Sequence, residues 1–134
     1  MSERPLPQPD HDTRPYWEAA RRHELLIQRC LSCGTHYFYP RPYCPLCLSE
    51  LTAWVPASGR GTVYAFTVVH RPPGPGFAER GPYVVALVDL AEGPRMMSNI
   101  VGCAPEEVHS GMLVHVDFED LTPEVSLPVF RPAR

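Results

Sequence analysis

The sequence predicts a mainly β protein in three consecutive parts: an N-terminal arm and helix over residues 1–24, a four-cysteine ribbon over 25–52 and a small five-stranded barrel over 53–134. Two observations carry this. Four cysteines fall in two close pairs, Cys30-Leu-Ser-Cys33 and Cys44-Pro-Leu-Cys47, with ten residues between the pairs. From Gly59 onward, β-branched and aromatic runs alternate with turns rich in glycine and proline, the pattern of short strands in a closed or layered sheet.

The elements follow in order. Residues 1–12 are polar and proline-rich and read as an extended arm. Asp12 or Thr13 can cap a helix with Pro15 in its first turn, running to about His23. Tyr16, Trp17, Ala20 and Glu24 then lie roughly on one side. So short a helix is not stable alone and must pack on this domain or on a partner. Leu25 to Arg29 reads as a strand feeding the first cysteine turn, and Thr35 to Tyr39 fits the ribbon's hairpin. Pro40-Arg41-Pro42 returns the chain to the second turn, and Leu51 to Pro56 leads out of the ribbon.

Gly61 to His70 is a strong strand, followed by a loop over 71–82 holding three glycines and four prolines. Tyr83 to Leu90 is a second strand, turned by Glu92-Gly93 into a third over Arg95 to Val101. Pro105 to Ser110 suits a helical turn ended by Gly111. Leu113 to Phe118 alternates, with Val114, Val116 and Phe118 on one face and His115 and Asp117 on the other. Leu127 to Phe130 reads as a last edge strand. Five short strands with a connection after the third suit a Greek-key OB-fold barrel, with a generic β-sandwich as the alternative.

The cysteine spacing is chemistry. Two residues inside each pair let both sulfurs of a tight turn converge on one ion, and two such turns facing each other make a closed tetrahedral site of four cysteines, the usual structural zinc arrangement. Gly34 after the first pair and Pro45 within the second fit those turns. Two readings compete: a pair of disulfides, which needs an oxidising compartment, and redox iron of the rubredoxin type. The short segment between the pairs favours a zinc ribbon over the second. A closed site leaves no position for water or substrate, so the metal holds a module together and the function lies elsewhere.

Composition bounds that function. Hydrophobic residues make up 44% of 134, enough for one modest core. Net charge is −3 and the pI about 6.0, which gives no general attraction to nucleic acid or to an anionic membrane. No apolar run approaches the roughly 18 residues of a membrane span. Met1-Ser-Glu-Arg-Pro lacks the apolar centre of a signal peptide, so a cytoplasmic protein with reduced thiols is expected. The fifth cysteine, Cys103, reads as a small buried or half-buried residue.

No local Ser-His-Asp or Cys-His pairing is visible. His36 lies inside the ribbon and is expected to pack beside a shell that four cysteines already complete; His70, His109 and His115 show no catalytic partner. Arg41 and Arg60 read as solvated or structural arginines rather than phosphate ligands. Asp117, Glu119 and Asp120 read as a charged edge that discourages strand aggregation rather than a catalytic dyad.

The ordered set of motifs resembles a known family. Tyr16-Trp17-Glu18 leads into Leu25 to Cys30, then come CxxCG, Pro40-Arg41-Pro42 and CPxC. Ser58-Gly-Arg-Gly-Thr-Val63, Phe66 to His70, Pro82 to Val88 and Gly111-Met112 follow. This is similar to the zinc-ribbon OB-fold family once catalogued as domain of unknown function thirty-five, over about Tyr16 to Arg131. The resemblance implies an accessory subunit without catalytic groups of its own, bound to a thiolase-superfamily enzyme that makes or cleaves carbon–carbon bonds in acyl-CoA thioesters. Thiolases and the lipid-transfer-protein-like aldolases of steroid side chains are the implied partners. Some relatives carry a fused hydratase-like hot-dog domain; none is visible here, so a hydratase role is not expected.

Under that reading the loop after His70 is the place for contact with acyl-CoA or a partner, through Arg71, Phe77, Arg80 and Tyr83, and Trp17 on the helix is a natural aromatic anchor. A hypothesis of another class is a single-stranded nucleic-acid binder stacking bases on Tyr64 and Phe66. The acidic balance opposes it, because such a groove must be basic.

Overall fold

The computed structural model describes residues 10–69 and 82–133. Among these residues one helix, α1 (Arg14–Arg21), precedes eight strands: β1 (Leu26–Cys30), β2 (His36–Tyr37), β3 (Thr52–Pro56), β4 (Arg60–Val69), β5 (Tyr83–Leu90), β6 (Arg95–Ile100), β7 (Leu113–Thr122) and β8 (Val125–Pro132). Among the described residues a 3-10 turn, Pro105–Glu107, lies before β7.

Thr13 is the N-cap residue, but its hydroxyl does not reach the helix. It bonds instead with Asp10, whose carboxylate accepts from Thr13 N–H at 2.9 Å, a partner the sequence did not suggest. At the other end, His23 N–H reaches Ala20 O and Glu24 N–H reaches Ala19 O, both at 2.9 Å. This is a Schellman cap with His23 in the left-handed position, φ 61°, where glycine is usual. The imidazole uses that placement: it stacks on Phe118 with centroids 5.1 Å apart, and its Nε2 lies 2.8 Å from Asp120 Oδ1.

The ribbon sheet has the order β2-β1-β3, all antiparallel. Thr52–Pro56 therefore does more than lead out of the ribbon: it pairs with β1 along all five residues, from Cys30↔Thr52 to Leu26↔Pro56. The remaining five strands close as β4-β5-β6-β8-β7, and the sandwich alternative falls. Closure needs one parallel contact, Ile100↔Phe130, where Val101 N–H donates to Phe130 O at 2.8 Å. Two expectations are corrected by this. β8 is not an edge, since it lies between β6 and β7, and β7 is not one either, since it pairs with both β4 and β8. β7 also runs to Thr122 rather than ending at Phe118, because β8 continues the ladder beside it.

The three parts share one core. Tyr16 of α1 and Leu25 and Ile27 of the ribbon cluster with Val63, Val84, Val88, Val114 and Phe130 of the barrel, all buried. Ala19 and Ala20 are fully buried, and their small side chains let α1 lie close between β8 and β1. Cys103 is half-buried against this cluster, as expected.

Gly59 makes the turn into the barrel at φ 86°, and a Cβ there would sit 2.5 Å from Val116 Cγ1. Gly59→Ala should therefore destabilise by about 1–3 kcal/mol, from left-handed strain and overpacking together. A urea midpoint equal to that of the parent would contradict this.

Candidate metal centre and apolar groove

The two cysteine turns repeat one geometry. Gly34 N–H donates to Cys30 O and Leu48 N–H to Cys44 O, both at 2.9 Å; Cys30 N–H donates to Thr35 O at 2.8 Å and Cys44 N–H to Ser49 O at 2.9 Å. Gly34 and Leu48 occupy the equivalent left-handed position, φ 81° and 64°. Amides turn onto sulfur in both: Cys33 N–H to Cys30 Sγ at 3.4 Å and Leu46 N–H to Cys44 Sγ at 3.3 Å. Ser32 and Ser49 join the turns through hydroxyls 2.8 Å apart.

All four Sγ atoms of Cys30, Cys33, Cys44 and Cys47 lie within 4.8 Å of one another. Cys30 and Cys47 are 3.5 Å apart and Cys33 and Cys44 3.7 Å. A tetrahedron with metal–sulfur bonds of about 2.3 Å has sulfur–sulfur edges of about 3.8 Å. The four residues therefore fit a single ion. All are free thiols, and the short contacts run between the turns, so the disulfide alternative falls. Electrostatics agree. The Thr35 hydroxyl and its backbone N–H pull Cys33 down to about 6. Cys30 is lowered chiefly by the Cys33 N–H. For Cys47 the Ser49 N–H favours the thiolate, but the crowded sulfurs of Cys30, Cys33 and Cys44, together with burial, push it up to about 12. Four thiolates cannot coexist here without a cation. Among the described residues this is the one His/Cys/Asp/Glu cluster with metal-holding geometry. His36 sits in β2 opposite Arg29, outside it.

The second feature is an apolar groove of about 380 Å³ where α1, the segment after β2 and the β5–β6–β8 wall meet. Trp17 and Tyr83, both singled out from the sequence, line it; Arg71, Phe77 and Arg80 lie outside the described residues. Tyr16 supports the floor. It meets Trp17 edge-on at 4.9 Å and Phe38 at 5.4 Å, and burial holds its phenol well above the ordinary value. Tyr39, Met97 and Leu127, which also line the groove, were missed. The signal for one was available: Met97 follows buried Met96 on a strand, so alternation places it outward. The wall's polar groups are already spent, Ser98 Oγ on Pro128 O at 3.0 Å and Asn99 Nδ2 on Val84 O at 2.9 Å.

The other candidates are structural. Arg41 is held by its backbone: its N–H donates to Gln28 Oε1 at 2.7 Å, and its carbonyl accepts from Gln28 Nε2 at 2.9 Å. Gln28, a buried polar residue on β1, thus fixes the chain between the cysteine turns. Arg60 begins β4 exposed, and its carbonyl accepts from Ala91 N–H. Asp117 pairs with Arg131, and Asp120 accepts from Ser126 Oγ while facing His23. Arg131, with the Phe118 N–H, lowers the Asp117 pKa; Ser126, then His23, lowers that of Asp120. Two of the three acids are thus ties within the fold rather than charges on an open edge. Tyr64 is 53% exposed, but the Arg95 guanidinium lies 3.5 Å over its ring and is itself bonded to Asp89 at 2.6 Å. One stacking face is already covered.

With ribbon, barrel and metal geometry described, two family models match: "ChsH2, rubredoxin-like zinc ribbon domain" over residues 17–52 and "ChsH2, C-terminal OB-fold domain" over 54–119. The chain belongs to the ChsH2-type DUF35 family. It is 47% identical over 130 residues to a probable enoyl-CoA hydratase alpha subunit of Thermomonospora curvata, covering 97% of this chain and 40% of that one. It is 40% identical to a DUF35 domain-containing scaffold protein of Methanocaldococcus jannaschii, covering 78% and 74%. This DUF35 chain thus spans about two-fifths of the hydratase subunit but most of the archaeal scaffold. Among solved structures, a chain of the Ltp2-ChsH2(DUF35) aldolase matches with TM-score 0.85 and 46% identity, over 96% of this chain and 99% of that one. A Sulfolobus solfataricus DUF35 protein, at 14% identity and TM-score 0.64, shares the fold. No helix among the described residues is long and apolar enough to cross a membrane.

Proposed function

We propose that this DUF35 protein is a non-catalytic subunit of a cytoplasmic complex. Its partner is a thiolase-superfamily enzyme, a thiolase or a lipid-transfer-protein-like aldolase, acting on acyl-CoA thioesters by carbon–carbon cleavage or formation. The observation that carries the reading is the match over nearly both full lengths to one chain of a named two-component aldolase. Relatives named as subunits of CoA-ester hydratases support the substrate class. The four thiolates hold structural zinc: a shell complete with sulfur suits that ion and leaves no site for chemistry. The groove between α1 and the barrel, with Trp17 and Tyr83 on its lining, is the surface that meets the enzyme or its acyl-CoA; Arg71, Phe77 and Arg80 are assigned to the same surface from the sequence alone. A nucleic-acid role finds no support in an acidic chain whose Tyr64 ring is already capped by Arg95.

The test is co-expression with a thiolase-like enzyme from the same organism. The two should co-elute from a sizing column, the enzyme should lose activity without this subunit, and this subunit alone should turn over no acyl-CoA. Trp17→Ala should weaken assembly by on the order of 2 kcal/mol, the size of an aromatic hot spot. Separate elution of the two proteins, with the enzyme fully active alone, overturns the proposal.

A further inference from the structure

The tip of the ribbon is built against the usual rules for a solvated loop. Leu31, Leu46, Leu48 and Leu51 are 63–71% exposed, and Tyr43 is 47% exposed. All five lie on the two cysteine turns or the residues that flank them. Leu31 N–H donates to Leu51 O at 2.8 Å, tying the first cysteine turn to the start of β3. Tyr43, Leu48 and Leu51, with Glu50, line one shallow hollow. Leu46 is fixed on the second turn by its N–H bond to Cys44 Sγ at 3.3 Å. Four leucines at such exposure present on the order of 500 Å² of apolar surface, the upper end of what a soluble monomer shows in one patch.

Leu48 sharpens the point. The equivalent position of the first turn is Gly34, which takes a positive φ at little cost. A leucine there accepts left-handed strain and also leaves its side chain in water. Neither the metal nor the turn requires it, since the same bonds form around Gly34. Burial within the chain does not offset the cost, so contact with another molecule must.

We infer that this leucine cluster at the tip of the metal ribbon is a docking surface for the enzyme subunit of the complex, which presents an apolar cleft receiving Leu46 and Leu48. This rests on the accessory-subunit reading, and the match to a chain of a two-polypeptide aldolase is what selects a different protein over a second copy of this one. The patch falls short of the roughly 800 Å² that each partner contributes to a standard interface, so it is one anchor of a contact that also uses the surface around Trp17.

The decisive variant is Leu48→Gly, because its two effects have opposite signs. In the isolated protein it removes left-handed strain, so melting temperature and metal content should be unchanged or slightly raised. In the complex with a thiolase-like enzyme from the same organism it should raise Kd about tenfold, and Leu46→Ser/Leu48→Gly about a hundredfold, measured by calorimetry on the full-length zinc-loaded chain. If the parent complex forms and these variants bind as tightly, the inference is overturned while the accessory reading stands. If no complex forms, the accessory reading fails and takes the inference with it. If Leu48→Gly lowers the stability or metal content of the isolated chain, or dissolves a homodimer, the side chain serves the fold or a second copy, and the inference is likewise overturned.

Discussion

Stripping the metal with a strong chelator, or replacing Cys44 by serine, should unravel the ribbon sheet and remove the part of α1's seat that β1 provides. The ribbon's buried polar and apolar contacts are few. Cys30, Tyr37 and Cys44 form its own cluster, and of its fully buried side chains Leu25 and Ile27 belong to the main core, with Phe38, Trp54 and Val55 packed partly buried against it. Without an ion, four sulfurs within 4.8 Å repel as thiolates, and the paired turns keep only light ties, the Ser32–Ser49 hydroxyl contact and the bond from Leu31 N–H to Leu51 O. Metal-binding free energy in such modules is folding free energy. The loss should appear as a lower melting temperature, fewer protected amides in β1–β3, and no zinc by elemental analysis in Cys44→Ser.

The pH dependence has a definite sign. Ligand sulfurs bind as thiolates, and Cys47, pushed up to about 12, carries a proton at neutral pH that the ion must displace. Retention of the metal should therefore strengthen with rising pH, about tenfold per unit for each proton released. Full thermal stability after complete chelation, or metal retention that is flat between about pH 6 and 8, would contradict this account.

Phe130→Ala should be the most damaging substitution in the barrel, at about 3–5 kcal/mol for a fully buried aromatic. Phe130 is 0% exposed and joins the cluster that includes Tyr16 and Ile27. Its backbone is also the closure point, paired with Val116 on one side and Ile100 on the other. The cavity would open where helix, ribbon and barrel meet. For a chain of this size the melting temperature should fall on the order of 10–20 °C. A fall of only one or two degrees would mean that the shared core contributes little.

What could be read from the sequence was local. Cys30, Cys33, Cys44 and Cys47 were legible because sulfur spacing inside a tight turn is fixed by a few bonds. The strands over 61–69, 83–90 and 95–100 were legible because alternation and glycine punctuation are also local. What was missed depends on residues far apart in the chain. The pairing of Thr52–Pro56 with β1, the burial of Phe130 on a strand that reads as an edge, and the meeting of Trp17, Tyr39, Tyr83 and Met97 around one groove all require the closed barrel. His23 was misplaced for a different reason. A helix cap in the left-handed region signals itself through glycine, and here a histidine takes the position because Phe118 and Asp120, nearly a hundred residues away, hold its ring.

The seating of α1 on β8 sets a direction for biogenesis. Residues 14–56, the helix and the metal ribbon, leave the ribosome before the barrel, and the cysteine turns can capture their ion at that stage. The hydrophobic side of α1 has to wait, because Val129 and Phe130 are translated more than a hundred residues later. Until then Tyr16, Ala19 and Ala20 are only partly covered, by the ribbon side alone. Long-range closure of this kind is slow compared with local hairpins, so the nascent chain passes through a state with an intact ribbon and an orphaned helix. That state is the one that chaperones and proteases meet, and any truncation before Val129 makes it permanent.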